Sequence, residues 1–97
     1  MRFEIVFAPE AVEDAKRLKA THRSEVLDAL ETHLRHEPKK TNVSRIKRLR
    51  GVLRPQNRLR IGEVRVFYDV TDSTVEVLAI IPKSEAQAWL ARLAELK

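Results

Sequence analysis

The chain contains 97 residues, no cysteine, and an excess of basic residues that gives a formal charge of +5 at neutral pH. This length suits one compact domain with a modest core, which we expect to span residues 1–97. The lack of cysteine excludes disulfides and thiolate metal sites. The longest apolar runs are too short for a membrane span or a signal peptide, so the sequence predicts a soluble, cytoplasmic protein with no membrane partner.

The first part of the chain predicts one strand followed by two helices. Residues 2–7 alternate between polar and apolar side chains, as is typical of a half-buried strand. Pro9 opens an amphipathic helix, and Thr21 is the expected N-cap of a second helix that ends near His36, before Pro38. Because the connection between the helices is short, we expect an antiparallel helical hairpin that packs on a sheet.

The second part predicts a meander of strands and a final helix. Residues 39–56 lack a clear period and are expected to form a loop with one short strand or turn. Residues 57–61 and 64–70 alternate around Gly62-Glu63, a two-residue hairpin turn with glycine first. Residues 75–81 form a central strand, since both faces are apolar. The prediction is an α+β fold of order βααβββα, a small antiparallel sheet with an N-terminal helical hairpin and a C-terminal helix.

Positive charge is concentrated between Pro38 and Arg65. This segment contains one acid, Glu63, and ten basic residues: Lys39, Lys40, Arg45, Lys47, Arg48, Arg50, Arg54, Arg58, Arg60 and Arg65. Such a density of like charge favours a polyanionic partner, either nucleic acid or an acidic protein. Three apolar residues are expected to anchor the segment to the core: Ile46, Leu49 and Leu53.

Strand alternation sorts the side chains of the predicted hairpin. With Gly62-Glu63 as the loop, Arg60 is expected opposite Arg65, and Arg58 opposite Phe67. The other face of the two strands is then apolar and faces the core: Leu59, Ile61, Val64, Val66, Tyr68 and Val70. Two arginines that face each other repel by about 0.2–1 kcal/mol unless an anion lies between them.

Two interpretations of the arginine face remain open at this point. Guanidinium groups grip phosphate through paired hydrogen bonds, which favours a phosphodiester as the ligand. Alternatively, the arginines form a solvated sheet face and pair with acids from elsewhere in the chain. Asp69 is the best candidate for such a structural pairing.

The segments Leu49-Arg50-Gly51 and 58–68, which reads RLRIGEVRVFY, resemble the RelE/ParE family of bacterial toxins. The resemblance covers nearly the whole chain and implies a single toxin domain of a type II toxin–antitoxin system. In the RelE branch it implies a ribosome-dependent endoribonuclease, or mRNA interferase, that inhibits translation. The messenger's own 2′-hydroxyl attacks the adjacent phosphate there, so no metal or cofactor is expected. The implied partners are a cognate acidic antitoxin in a hetero-oligomer, messenger RNA and the ribosome.

The resemblance also assigns roles to residues. Arg58 and Arg60 match basic strand positions of the RelE site, and Arg65 matches its phosphate-binding arginine. Lys83 matches a basic position near the same site, where it would stabilise the leaving group or the phosphate. Other residues are expected to contact RNA or the antitoxin: Arg45, Lys47, Arg48 and Arg50, with Phe67 stacking on a nucleobase.

Two positions depart from the RelE pattern, because Ser84 and Leu90 stand where relatives commonly carry an arginine and a tyrosine. The general base is therefore left open among Lys47, Lys83, a histidine, or no residue of this chain. The ParE branch poisons DNA gyrase without cleaving RNA, so a ParE-like gyrase inhibitor is the alternative. A basic RNA-binding domain without catalysis is the third hypothesis.

The remaining polar and aromatic candidates favour structural roles. His33 and His36 are three residues apart on one predicted helix, but the sequence offers no third convergent ligand, so no metal site is expected. Tyr68 falls on the inward face, where core packing is expected. Trp89 lies among the apolar positions of the last helix and is expected in the core or in a partner-binding groove.

Overall fold

The structure is a computed structural model that describes residues 2–40, 45–51 and 54–95. Along the chain the elements are β1 (Glu4–Phe7), α1 (Pro9–Arg17), α2 (Ala20–Leu34), β2 (Ile46–Arg48), β3 (Asn57–Ile61), β4 (Val64–Thr71), β5 (Thr74–Pro82) and α3 (Lys83–Glu95). The predicted α+β class and order of elements are confirmed, with β2 as the short strand expected between residues 39 and 56. Thr21 is not the N-cap of α2, which begins one residue earlier, after Lys19.

The five strands form one sheet in the order β1-β5-β4-β3-β2. Strands β2 to β5 pair antiparallel, as a meander of short connections dictates. Strand β1 instead lies parallel to β5, with Ile5 beside Val75 and Phe7 beside Val77. The sheet is therefore mixed rather than antiparallel throughout, because no short hairpin turn joins β1 to β5 and the two strands can run in the same direction.

The larger core lies between the sheet and the helical hairpin. Its buried members come from α1, α2 and one face of the strands: Ala11, Val26, Leu30, Leu34, Ile46, Leu59, Val64, Val66, Tyr68, Val70, Val75, Val77 and Ile80. Tyr68 has the predicted inward position, and its hydroxyl donates to the carbonyl of Pro38 at 2.6 Å. Burial raises the pKa of this phenol, so it stays neutral and serves as a core hydrogen-bond donor.

Helix α3 covers part of the opposite face. Phe67, Ala79 and Ile81 are buried beneath it, with Trp89 and Leu90 packed against them. Leu49 joins this second cluster and Ile46 the first, so both predicted anchors of the basic segment are confirmed. The third, Leu53, lies outside the described residues. Only part of the second face is thus apolar, which leaves the rest to charged side chains.

Helix α1 completes the edge of β5 where β1 ends. The backbone N–H of Ala8 donates to the carbonyl of Val77 at 2.9 Å, and Ile80 N–H donates to the carboxylate of Asp14, also at 2.9 Å. Arg23 of α2 in turn donates to carbonyls at the end of α1, those of Ala15 and Leu18 among them. Side chains thereby satisfy backbone groups that the short strand and the helix end leave unpaired.

Within the described ranges no helix has the length and apolar character needed to cross a membrane.

Candidate functional site

The hairpin of β3 and β4 has the register expected from the sequence. Arg60 lies opposite Arg65, and Arg58 lies opposite Phe67. Gly62 adopts a φ of 55°, a left-handed conformation that glycine tolerates at the first position of the tight turn. The predicted facing arginines are therefore present on adjacent strands.

Strand β2 adds two basic residues to the same face. Lys47 pairs with Arg58 in the register of β2 and β3, and Arg60 N–H donates to the carbonyl of Arg45 at 2.9 Å, which continues that register by one residue. Lys47 and Arg45 accordingly extend two parallel rows of like charge across the sheet. Each row then continues through β4 into the apolar cluster under α3, at Phe67 in one case and beside Ile81 in the other.

A pocket of about 360 Å³ opens at the end of this face, and we call it the cationic pocket. Its described lining comprises four basic residues, one acid and the turn glycine: Arg45, Arg60, Arg65, Lys83, Glu63 and Gly62. The first residue of α3 reaches this site because Lys83 N–H donates to the carbonyl of Glu63 at 2.7 Å. The hairpin turn and the start of α3 are thus joined through the backbone.

Arg65 is the most buried of these cations, with 8% of its surface exposed. Its Nη1 atom donates to the carbonyl of Gly62 at 2.7 Å and to that of Val64 at 3.1 Å. Burial lowers the pKa of Arg65, Arg60 lowers it further, and Glu63 opposes both. A guanidinium held this way has its orientation fixed before any ligand arrives.

Arg58 lies one row away and is only partly exposed. Its Nε atom is buried without a hydrogen-bond partner among the described residues. Burial is the main cause that lowers the pKa of Arg58, followed by the charges of Arg65 and Arg60. A buried donor of this kind costs about 1–3 kcal/mol when unsatisfied, so an acceptor brought by a ligand would relieve the cost.

Two acids of the sheet, Asp69 and Glu76, are paired with Arg54. Asp69 is buried and accepts from Arg54 Nε at 2.5 Å and from the backbone of Gln56 at 2.7 Å. Arg54 also pairs with Glu76 at 2.7 Å. Asp69 does make a structural pairing, but with Arg54 rather than with the sheet arginines. The ion pairs found in the described parts of the chain include none to Arg58, Arg60 or Arg65.

The structure brings some predicted site residues together and separates others. Four converge on the cationic pocket, namely Arg45, Arg60, Arg65 and Lys83, and Arg58 with Lys47 lies in the adjacent row. Arg48 pairs with Asn57 and by alternation belongs to the helical-hairpin face. Arg50 is exposed in the loop after β2.

The expected role of Phe67 is wrong. Its side chain is 0% exposed and stacks on Trp89, with ring centroids 4.7 Å apart and an interplanar angle of 25°. Helix α3 covers this part of the face, so Phe67 presents no surface to a nucleobase. Trp89 is accordingly part of the second core cluster, one of the two positions expected for it.

Two of the histidines, His33 and His36, lie apart from the cationic pocket. Burial, and then the charge of Arg45, lowers the pKa of His33, but this residue lines a separate hollow with His36 and Lys40. Ser84 is exposed in the first turn of α3, while Leu90 packs on the second core cluster. In the described ranges no group of three or more metal-ligating side chains is found.

Glu63 is the pocket residue that sequence reasoning missed. Its position in a two-residue turn predicted only a loop role, although the same turn brings it into the pocket lining with Arg60 and Arg65. A larger groove of about 640 Å³ lies between α1 and α3 and is lined by Trp89, Leu93 and Leu78 among others. The cationic pocket is the candidate functional site, because its charges would suit a phosphate.

The fold and the cationic pocket together define a small basic α+β domain suited to binding a polyanion. The family model described as the ParE toxin of the type II toxin–antitoxin system parDE matches residues 5–87. Since this match covers most of the chain, the protein belongs to that family of toxins. The resemblance to the RelE/ParE toxins is thereby confirmed. Comparison with curated proteins gave no match.

Solved structures similar to this chain include several from toxin–antitoxin systems. A chain of the RelBE2 complex of Mycobacterium tuberculosis has a TM-score of 0.72 and 24% identity, covering 84% of this chain and 99% of that one. A chain of the DinJ–YafQ complex of E. coli has a TM-score of 0.66 and 16% identity, covering 87% of this chain and 96% of that one. A chain of the YoeB dimer of Staphylococcus aureus has a TM-score of 0.58 and 22% identity, covering 84% of this chain and 97% of that one. At these identities the similarity establishes the fold.

Proposed function

We propose that this toxin is a ribosome-dependent endoribonuclease that cleaves messenger RNA and so inhibits translation. The observation that carries the proposal is the cationic pocket, where four basic side chains meet beside a sheet face whose arginines lack acidic partners among the described residues. Arginines in this arrangement suit a phosphodiester, whose charge increases as a nucleophile adds to phosphorus. The fold shared with chains of toxin–antitoxin complexes supports the same assignment.

Each basic residue of the site has a separate proposed role in cleavage. Arg65, already oriented by two carbonyls, binds the non-bridging oxygens of the scissile phosphate. Arg60 faces it across the strands and balances the charge that develops there. Lys83 stabilises the leaving 5′-oxygen, while Arg58 binds a neighbouring phosphate through its unsatisfied donor. The messenger supplies the nucleophile, its 2′-hydroxyl, and the product carries a cyclic phosphate.

The basic surface around the pocket would hold the other partners. Arg45, Lys47 and Arg50 form the main proposed contact with ribosomal RNA, and Arg48, which lies on the other face, would contribute less. A ribosomal target would be met in the cytoplasm. A cognate acidic antitoxin would neutralise the protein by covering the same charges in a hetero-oligomer. The similar solved structures include the DinJ–YafQ toxin–antitoxin complex and the YoeB–YefM complex, which supports the proposal of a partner protein.

Cleavage of a defined messenger in purified translating ribosomes tests this function. We expect cleavage by the wild-type toxin and a loss of about a hundredfold or more in Arg65→Ala and Arg60→Ala, the scale on which charge-stabilising donors contribute. Arg92→Ala, which removes an exposed arginine near the end of α3, is the matched control and should cleave normally. An intact messenger after incubation with the wild-type toxin would contradict the proposal.

The description of the matching family names one rival function that has to be tested. The matching family is that of the ParE toxin, and a ParE-like protein would inhibit DNA gyrase rather than cleave RNA. Measuring gyrase supercoiling beside ribosomal cleavage separates the two. Inhibition of supercoiling with an intact messenger would establish the rival, whereas cleavage without any effect on gyrase would establish the ribonuclease. RNA binding without either effect would leave a basic RNA-binding domain.

A further inference from the structure

The cationic pocket contains one side chain of opposite charge. Glu63 lies among Arg45, Arg60, Arg65 and Lys83 in the described lining. Its charge acts on Arg65, since it opposes the causes that lower the pKa of that arginine. A carboxylate in this position weakens the attraction of the pocket for phosphate, so binding alone would be better served by a neutral residue.

The backbone holds Glu63 firmly beside the residues proposed to act on the phosphate. Its carbonyl accepts the N–H of Lys83 at 2.7 Å, and the carbonyl of the preceding Gly62 accepts Arg65 Nη1, also at 2.7 Å. The turn is therefore tied both to the start of α3 and to the phosphate-binding arginine. The Glu63 side chain itself is exposed, so it can reach a ligand without first breaking a core contact.

The chemistry of the lining assigns a role to this carboxylate. Guanidinium and ammonium groups carry their protons at neutral pH and are donors only. A carboxylate is an acceptor and can receive a proton from a hydroxyl group. Among the described lining residues, Glu63 is the side chain equipped for this step.

We infer that Glu63 is the general base of the proposed ribonuclease and removes the proton from the attacking 2′-hydroxyl. As that proton passes to a Glu63 carboxylate oxygen, the 2′-oxygen forms a bond to phosphorus. The bond from phosphorus to the 5′-oxygen breaks, and this oxygen leaves with the electron pair and takes a proton from the Lys83 ammonium group. The products are a 2′,3′-cyclic phosphate and a 5′-hydroxyl, and proton exchange with water restores both side chains. This inference rests on the proposed function.

Single-turnover cleavage and binding to messenger-programmed ribosomes, measured side by side, test the role of Glu63. We expect Glu63→Gln and Glu63→Ala to cleave at least about a hundredfold more slowly, as is usual for loss of a general base. Binding should stay equal or become tighter, because a repulsive charge is removed. Added formate should restore part of the cleavage by Glu63→Ala but none by Arg65→Ala. Glu10→Gln, the same change at an exposed position of α1, is the control and should behave as wild type.

The alternative is that Glu63 only moderates phosphate binding. In that case Glu63→Gln would bind more tightly and cleave as fast as wild type or faster, and this result would overturn the inference while leaving the ribonuclease function intact. A rate that falls only in proportion to lost binding, or a Glu63→Ala rate that formate leaves unchanged, would also overturn it. If the wild-type toxin fails to cleave, the proposed function fails and the inference with it.

Discussion

Arg58 illustrates how a single residue can be poorly placed for stability and well placed for binding. Its guanidinium is partly removed from water, its Nε atom has no partner among the described residues, and both Arg60 and Arg65 repel it. In a protein selected only for stability an apolar side chain would fill this position better, since a buried charge without a counter-charge is costly. A site that binds an anion instead requires a positive charge that is left without a partner in the protein.

Replacing Arg58 should therefore separate stability from function. We expect Arg58→Met to raise the free energy of unfolding by about 1 kcal/mol, because an unsatisfied donor and a repulsive charge are removed while the unbranched stem is kept. Urea denaturation measures this change, and added phosphate should stabilise the wild type more than the variant. Arg92→Met, at an exposed position, should change stability by less than about 0.5 kcal/mol. A large loss of stability in Arg58→Met would show that the guanidinium has a structural partner.

At the scale of the elements, a side chain of α1 satisfies a backbone group of β5 that has no strand beside it. β1 pairs with β5 only as far as Val77, and beyond that point the edge of β5 would expose unpaired backbone groups. Asp14 of α1 accepts the N–H of Ile80 at 2.9 Å, and its second oxygen accepts from Arg17. A residue on the first helix thereby fixes the strand that leads to Lys83 and the cationic pocket.

Removing this carboxylate should cost more than removing an exposed neighbour. Asp14 is 7% exposed, so Asp14→Ala leaves a buried N–H without an acceptor and should lower the free energy of unfolding by about 1–3 kcal/mol. Asp14→Asn keeps an acceptor oxygen and should lose less. Glu13→Ala, which breaks only the exposed pair with Lys16, should stay within about 1 kcal/mol of wild type. Thermal or urea unfolding of the three variants tests this order, and equal losses would contradict it.

Across the whole molecule, one face of the sheet carries both basic side chains and the second apolar cluster, in separate areas. The rows that begin with basic residues on β2 and β3 end under α3 in the second apolar cluster. The net charge of +5 is therefore displayed unevenly, with a concentrated positive field at the β2 side and the hairpin turn. Such a field attracts a polyanion over distances comparable to the Debye length, and salt weakens the attraction.

This distribution predicts how salt acts on two matched variants. Each phosphate contact to single-stranded RNA contributes about 0.7 to the slope of log affinity against log salt concentration. We expect Arg45→Ala, in the pocket, to reduce that slope by about this amount. Arg48→Ala removes the same charge from the other face and should change the slope less. Equal slopes for the two variants would show that the field acts only through its total charge.

The hairpin could be predicted from sequence because a two-residue turn determines both its register and its faces. That local rule correctly placed Arg60 opposite Arg65 and Tyr68 in the core. It could not show that Phe67 lies under α3, because strand alternation predicts the face on which a side chain lies but not the element that packs on that face. The parallel position of β1, and the pairing of Arg54 with Asp69 fifteen residues away, likewise depend on contacts that local periodicity does not encode.

The separation of the cationic pocket from both apolar clusters has a consequence for the evolution of this fold. Three of its basic lining residues, Arg45, Arg60 and Lys83, are exposed and belong to neither cluster, so substitutions there should cost the fold little stability. A scaffold of this kind can change its target by a few substitutions on β2, β3 and the start of α3. Substitutions in the pocket can therefore accumulate while the core is kept.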